Sequence, residues 1–104
     1  MPREFDKLVR DKIPEVIEEN GEDPTSHVAD DEEYSDRLIE KLDEEVSEYQ
    51  ESGKLDELAD ILEVIHAIRK HRGLSRDELQ EIREWKADQR GRFDDRIVLE
   101  RVEK

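Results

Sequence analysis

The sequence predicts an all-α domain, a helical bundle with two long antiparallel helices at its core, completed by oligomerisation into a four-helix core built from two chains. Three observations point there. Apolar residues recur at three- and four-residue spacings in the stretch holding Tyr34, Leu38, Leu42 and Tyr49, and again from Leu58 through Ile61, Leu62, Val64, Ile65 and Ile68, which is the period that covers one face of a helix. Only a short break at Ser52-Gly53 divides the two stretches, and such a break joins antiparallel neighbours. The second apolar arc spans about half of the helical wheel, wider than one antiparallel partner covers. At 104 residues the chain reads as one domain, 1–104, with a modest core that association with another copy would help to stabilise.

Each element has local reasons. "FDKLVRDKIP" opens the chain as an apolar and basic stretch, followed by a short helical run carrying Val16 and Ile17 that stops at Asn20-Gly21. Pro14 suits the first turn of that run. Residues 22–29 hold Pro24, Thr25 and Ser26 without helical period and read as a loop. A helix is then expected from about Asp31 to Glu51, and another from Leu55 to His71, ending at Gly73. "SRDE" at Ser75 to Glu78 is a capping box, opening a helix with Leu79, Ile82 and Trp85 that closes before Gly91. "FDDRIVLERV" is ambiguous between extended and helical.

The charge excludes some partners. With 32 acidic against 18 basic residues, a formal charge of −14 and a pI near 4.6, broad electrostatic binding to nucleic acid or to an anionic membrane surface is disfavoured. A polyphosphate would have to arrive with cations. Cysteine is absent, no apolar run approaches a membrane span, and "MPREFDKLVR" lacks the hydrophobic stretch of a secretory signal, so the expected compartment is the cytosol. A charged fraction of 48% invites a reading of disorder, but regular periodicity and well-placed caps argue against it.

Four acids break the solvated pattern. Glu45 and Glu48, then Glu57 and Asp60, form two pairs at i,i+3 spacing, each able to project from one helix face. Glu45 and Glu57 fall inside the apolar arcs, with Glu48 and Asp60 at their edges, although an acid-rich chain also produces such spacings by chance. Two ionised carboxylates about 6 Å apart repel by roughly 3 kcal/mol at an effective dielectric of about 20, so a cluster of four would protonate or disrupt packing unless a cation joined it. Oxygen-only ligands select magnesium, manganese or calcium. Zinc is disfavoured, because His66 and His71 are five apart and His66 falls on the outer face with Ala59, Glu63 and Lys70. All three histidines, His27 included, read as surface or boundary residues.

The segment "EEVSEYQESGKLDELADILEVI" resembles the core of the MazG-like, all-α nucleoside triphosphate pyrophosphohydrolase superfamily, whose metal motif is a Glu-x-x-Glu pair followed by a Glu-x-x-Asp pair. The ends "KLVRDKIPEVI" and "KADQRGRFDDRIVLERV" resemble those of a short, phosphoribosyl-ATP pyrophosphohydrolase-like subgroup, so the resemblance covers nearly the whole chain. Only eight residues, Tyr49 to Asp56, separate the pairs, which leaves little room for an inserted loop and bears on substrate identity more than on metal binding.

The resemblance implies hydrolysis between the α and β phosphates of a nucleoside triphosphate, with Glu45, Glu48, Glu57 and Asp60 as the catalytic, magnesium- or manganese-binding set. One carboxylate not fully used by the metal would take the proton of the attacking water. No protein nucleophile or Walker-type glycine loop is needed, which agrees with the lack of both. Arg10, Lys12, Lys86 and Arg90 are candidates for binding substrate phosphate, Arg96 reads as a surface residue, and Asp11 as a cap or an orienting group. Trp85, Phe93 and Tyr49 are read as core before base-stacking residues. Lys41, four residues before Glu45, is either a partner of that acid or a surface ion pair. A homodimer or homotetramer is expected, acting on surplus or non-canonical triphosphates, with phosphoribosyl-ATP as the rival substrate. A non-catalytic acidic helical module that dimerises and binds a basic partner is the competing class.

The balance of acids over bases, with arginine outnumbering lysine, resembles that of proteins from salt-loving organisms. Screening of self-repulsion should then raise the melting temperature between dilute buffer and molar KCl. A fall measured by calorimetry contradicts this reading.

Overall fold

The computed structural model describes residues 3–104, so Met1 and Pro2 of the N-terminal stretch lie outside the described residues. It is all-helical: α1 (Ile13–Glu19), α2 (Asp31–Ser52), α3 (Leu55–His71) and α4 (Arg76–Arg90), with no strand among the described residues. Local chemistry sets most of the limits. Asp30 accepts from the Glu33 backbone N–H at 2.9 Å and so opens α2, satisfying a donor that has no partner within the helix. Ser75 and Glu78 cap α4 reciprocally, each backbone N–H donating to the other's side chain at 3.1 Å. At the far end of α2, Gly53 takes φ +65° and its N–H donates to the Tyr49 carbonyl at 2.8 Å, a left-handed stop that a side chain would strain. α2 accordingly runs one residue beyond the expected Glu51. Pro14 lies in the first turn of α1, where the N-cap position is Lys12 rather than Asp11 and carries no side-chain cap bond.

α2 and α3 pack side by side across the two-residue connection Gly53-Lys54, and α4 touches α3 only lightly. Leu38 of α2, 2% exposed, and Val64 of α3 are the buried apolar residues among those described, joined by one charged residue, Glu45. Tyr34 meets His71 edge-on at 4.9 Å between ring centroids. The radius of gyration is 18.3 Å with extents of 61 × 32 × 26 Å, against about 13 Å for a compact chain of this length. The molecule is elongated, and its core is thin.

Within one chain the broad apolar arc of α3 is partly uncovered: Leu58, Ile65 and Leu62 are exposed, the last at 53%. One expectation changes here. Trp85 and Phe93, read as core, are exposed as well, Trp85 at 61%, because α4 has α3 as its one packing neighbour and Phe93 lies beyond the end of α4. The ambiguous "FDDRIVLERV" forms neither helix nor strand, and Ile97, Val98, Leu99 and Val102 are exposed along it. Among the described residues, no helix is long and apolar enough to cross a membrane.

Leu38→Ala removes the most enclosed side chain and should destabilise the fold by about 2–5 kcal/mol, read from the urea midpoint. Val28→Ala, at an almost fully exposed loop position, should stay within about 0.5 kcal/mol of the parent.

Candidate metal centre

The side-by-side packing of α2 and α3 brings acids from both helices together. Glu45 from α2 and Glu57 with Asp60 from α3 each offer a carboxylate oxygen, and these oxygens lie within 4.8 Å of one another. Glu48 does not join that group; it is half-buried one turn along α2 and close enough to Glu45 to raise its pKa. Three of the four acids read from the sequence thus converge, and the fourth stands at the edge.

Glu45 is the unusual member. It is 7% exposed, whereas Glu57 and Asp60 are half-buried. Its Oε1 lies 3.2 Å from Lys41 Nζ, but its buried Oε2 has no hydrogen-bond partner among the described residues. Burial pushes the Glu45 carboxyl above the ordinary carboxylate value; Lys41 opposes this and neighbouring Glu48 adds to it. An ionised oxygen without a partner in such a place costs several kcal/mol or forces protonation. A hard divalent cation removes both penalties, and a set of carboxylate oxygens is the donor chemistry such ions take. The residues present therefore fit a hard divalent cation such as magnesium, manganese or calcium.

Basic groups surround the acids. Lys41 Nζ also reaches Glu44 Oε2 at 2.8 Å, and Lys7 from the N-terminal segment meets Glu44 Oε1 at 2.5 Å. Although burial lowers the Lys41 pKa, its hydrogen bonds to Glu44 and Glu45 outweigh that and leave it raised. Burial likewise raises Glu44, yet Lys41 and Lys7 together bring it below its ordinary value. Arg10 Nη2 lies 2.6 Å from Asp60 Oδ1. Arg37 on α2 donates to the Asp6 backbone carbonyl and carboxylate, both at 2.8 Å, and so fastens the N-terminal segment to the helix pair.

Of the four candidate phosphate-binding residues, only Arg10 contacts the cluster among the described residues. Lys12 is exposed at the start of α1, and Lys86 and Arg90 are exposed on the later turns of α4. Lys41 is a half-buried partner of Glu45 rather than a surface pair. The histidines stay apart from the acids: His27 pairs with Glu33 at 2.9 Å, and half-buried His66 takes a hydrogen bond from Arg69 at 3.1 Å, a boundary position rather than the outer face. Trp85 lines an open groove of about 430 Å³ with Leu74, Glu78, Glu81 and Ile82. Glu44, Lys7, Arg37 and Asp6 were not singled out in the sequence. Lys7 and Glu44 are 37 positions apart, and no local spacing connects them.

No family model and no solved structure matches the chain. Over 42 residues it is 50% identical to an uncharacterized protein of Mycolicibacterium smegmatis, a stretch covering 40% of this chain and 43% of that protein. The chain thus spans less than half the length of this relative.

The Glu45 shift gives metal-free stability a sign. A carboxyl whose folded-state pKa lies above its unfolded value favours folding while protonated, and that contribution is lost as pH rises through the folded pKa. In EDTA-treated protein, Glu45→Gln should therefore raise the urea midpoint at pH 7 and leave it nearly unchanged at pH 4. Unfolding curves at the two pH values check this, and a destabilised variant at pH 7 contradicts it.

Proposed function

We propose that this chain is a magnesium-dependent nucleoside triphosphate pyrophosphohydrolase that cleaves the α–β phosphate bond, giving the monophosphate and pyrophosphate. The observation that carries the reading is Glu45, a buried carboxylate with one oxygen unpartnered, within reach of Glu57 and Asp60. An acidic cluster alone would be ordinary in this chain. A buried carboxylate with one unpartnered oxygen, close to two more acids, is the arrangement a cation completes. The resemblance to the MazG-like superfamily supplies the reaction class.

Glu45, Glu57 and Asp60 would hold the metal, with Glu48 at the margin. Bound magnesium would neutralise phosphate charge and lower the pKa of a water. A carboxylate oxygen of this set would accept the proton of the attacking water, as the water oxygen bonds to the α phosphorus and the bond to the bridging oxygen breaks, releasing pyrophosphate. Lys41 keeps Glu45 oriented through their contact at 3.2 Å and offsets part of the cluster's charge when no ion is present. The proposed substrates are surplus or non-canonical triphosphates in the cytosol; phosphoribosyl-ATP contains the same bond.

The exposed Leu58, Leu62 and Ile65 on α3 support an antiparallel helix pair covered by a second copy, giving a four-helix core in a homodimer, or in a homotetramer made of such pairs. They also favour the competing reading, a helical association module without turnover. Magnesium separates the two, because a specific ligand raises the melting temperature by mass action and an association module gains nothing from it.

Purified protein with magnesium and a nucleotide panel should release pyrophosphate. EDTA should abolish release, and Glu57→Gln should lower it by at least about 100-fold, since losing even an outer partner of a metal site costs about 10–100-fold. Orthophosphate as the product would mean that a different bond is cut and would refute the mechanism.

A further inference from the structure

Arg10 is delivered to the acid cluster on an anchored length of backbone. Arg37 holds Asp6 through two contacts of 2.8 Å, Lys7 holds Glu44 at 2.5 Å, and the Arg10 carbonyl accepts from the Ile13 N–H at 3.0 Å at the start of α1. Residues 6–10 are thereby fixed to α2 at one end and to α1 at the other, while the Arg10 guanidinium reaches α3 and ends 2.6 Å from Asp60. Its side chain is 56% exposed, so it can leave Asp60 without moving the backbone that carries it. Lys41 differs: it is nearly buried and bound to two glutamates.

Asp60 therefore has two claims on it. One of its oxygens lies within 4.8 Å of those of Glu45 and Glu57, while its Oδ1 is paired with a guanidinium. A divalent cation drawn to the three acids meets a like charge already in place. We propose that Arg10 alternates between two partners, holding Asp60 while the acids lack a cation and turning to a phosphate oxygen of the nucleotide once a cation has taken Asp60. The inference rests on the metal-binding reading above and assigns this arginine a use on both sides of the exchange. A guanidinium fork suits either role, because carboxylate and phosphate oxygens present it with the same bidentate geometry.

The exchange gives Arg10 opposite effects on two affinities. As a competitor for Asp60 it weakens binding of the bare cation, and as a phosphate partner it strengthens binding of the cation–nucleotide complex. A residue that merely braced the fold would move both in one direction.

The test uses the full chain and two probes, Mn²⁺ alone and Mn²⁺ with α,β-methylene ATP, with binding read by calorimetry and by the electron paramagnetic resonance of free Mn²⁺. Arg10→Gln should bind Mn²⁺ about two- to fivefold more tightly, the range a partly exposed ion pair commands, and bind the Mn²⁺–nucleotide complex about tenfold or more weakly. Should Arg10→Gln fail to fold by circular dichroism, Arg10→Lys keeps the charge and loses the fork; it should leave Mn²⁺ affinity unchanged and still weaken the nucleotide complex. Nucleotide affinity equal to wild type in the folded variant overturns the proposal, as does Mn²⁺ affinity in Arg10→Gln that is unchanged or lower. Glu57→Gln separates this failure from that of the metal reading. If wild type binds Mn²⁺ and Glu57→Gln does not, an unresponsive Arg10→Gln removes the exchange alone. If wild type and Glu57→Gln bind Mn²⁺ equally, both readings fall.

Discussion

A carboxylate between two packed helices must be partnered at both oxygens or lose its charge, and Glu45 is placed where this condition is only half met. Lys41 answers one oxygen, and none of the described residues answers the other. The surrounding arrangement follows from that position. Lys41 is pulled inward and then shared with Glu44, Glu44 is shared with Lys7, and Asp60 on the opposite helix takes Arg10. Two of the three acids in close range, Glu45 and Asp60, are thus each paired with a cation, an arrangement that reduces the repulsion within the group without removing it.

This arrangement links the first residues of the chain to its centre. Lys7 and Arg10 neutralise acids on α2 and α3 respectively, and Arg37 secures the backbone just before them through Asp6. Ion pairs therefore tie the N-terminal segment to the helices, while α2 and α3 are held by Leu38, Val64 and their neighbours. The two kinds of attachment respond differently to solution conditions. Exposed ion pairs weaken as salt is added, whereas apolar contacts do not, so salt acts on the segment and on the net charge of −14 in opposite senses.

Much of the fold was legible because its signals are local. The reciprocal bonds of Ser75 and Glu78, the cap at Asp30 and the left-handed turn at Gly53 each involve residues at most four apart, and α3 runs from Leu55 to His71 as its periodicity indicated. The candidate site was legible in part for the same reason, since i,i+3 spacing puts a pair of acids on one face wherever the helix goes. It could not distinguish Glu48 from Asp60. Both sit at the edge of an apolar arc, and only the rotation of one helix against the other turns Asp60 toward Glu45 and Glu57 while Glu48 stays outside the group. Trp85 shows the converse, with an apolar residue at helical spacing that lacks a covering neighbour.

The amino-acid sequence alone determined where the helices start and stop and which acids share a face, because capping and helical period depend on neighbours within about a turn. Tertiary structure alone decided which three carboxylates converge and which cations answer them. Arg10 and Asp60 stand 50 positions apart, and a pairing over that distance depends on how whole helices pack, a property that no local spacing encodes.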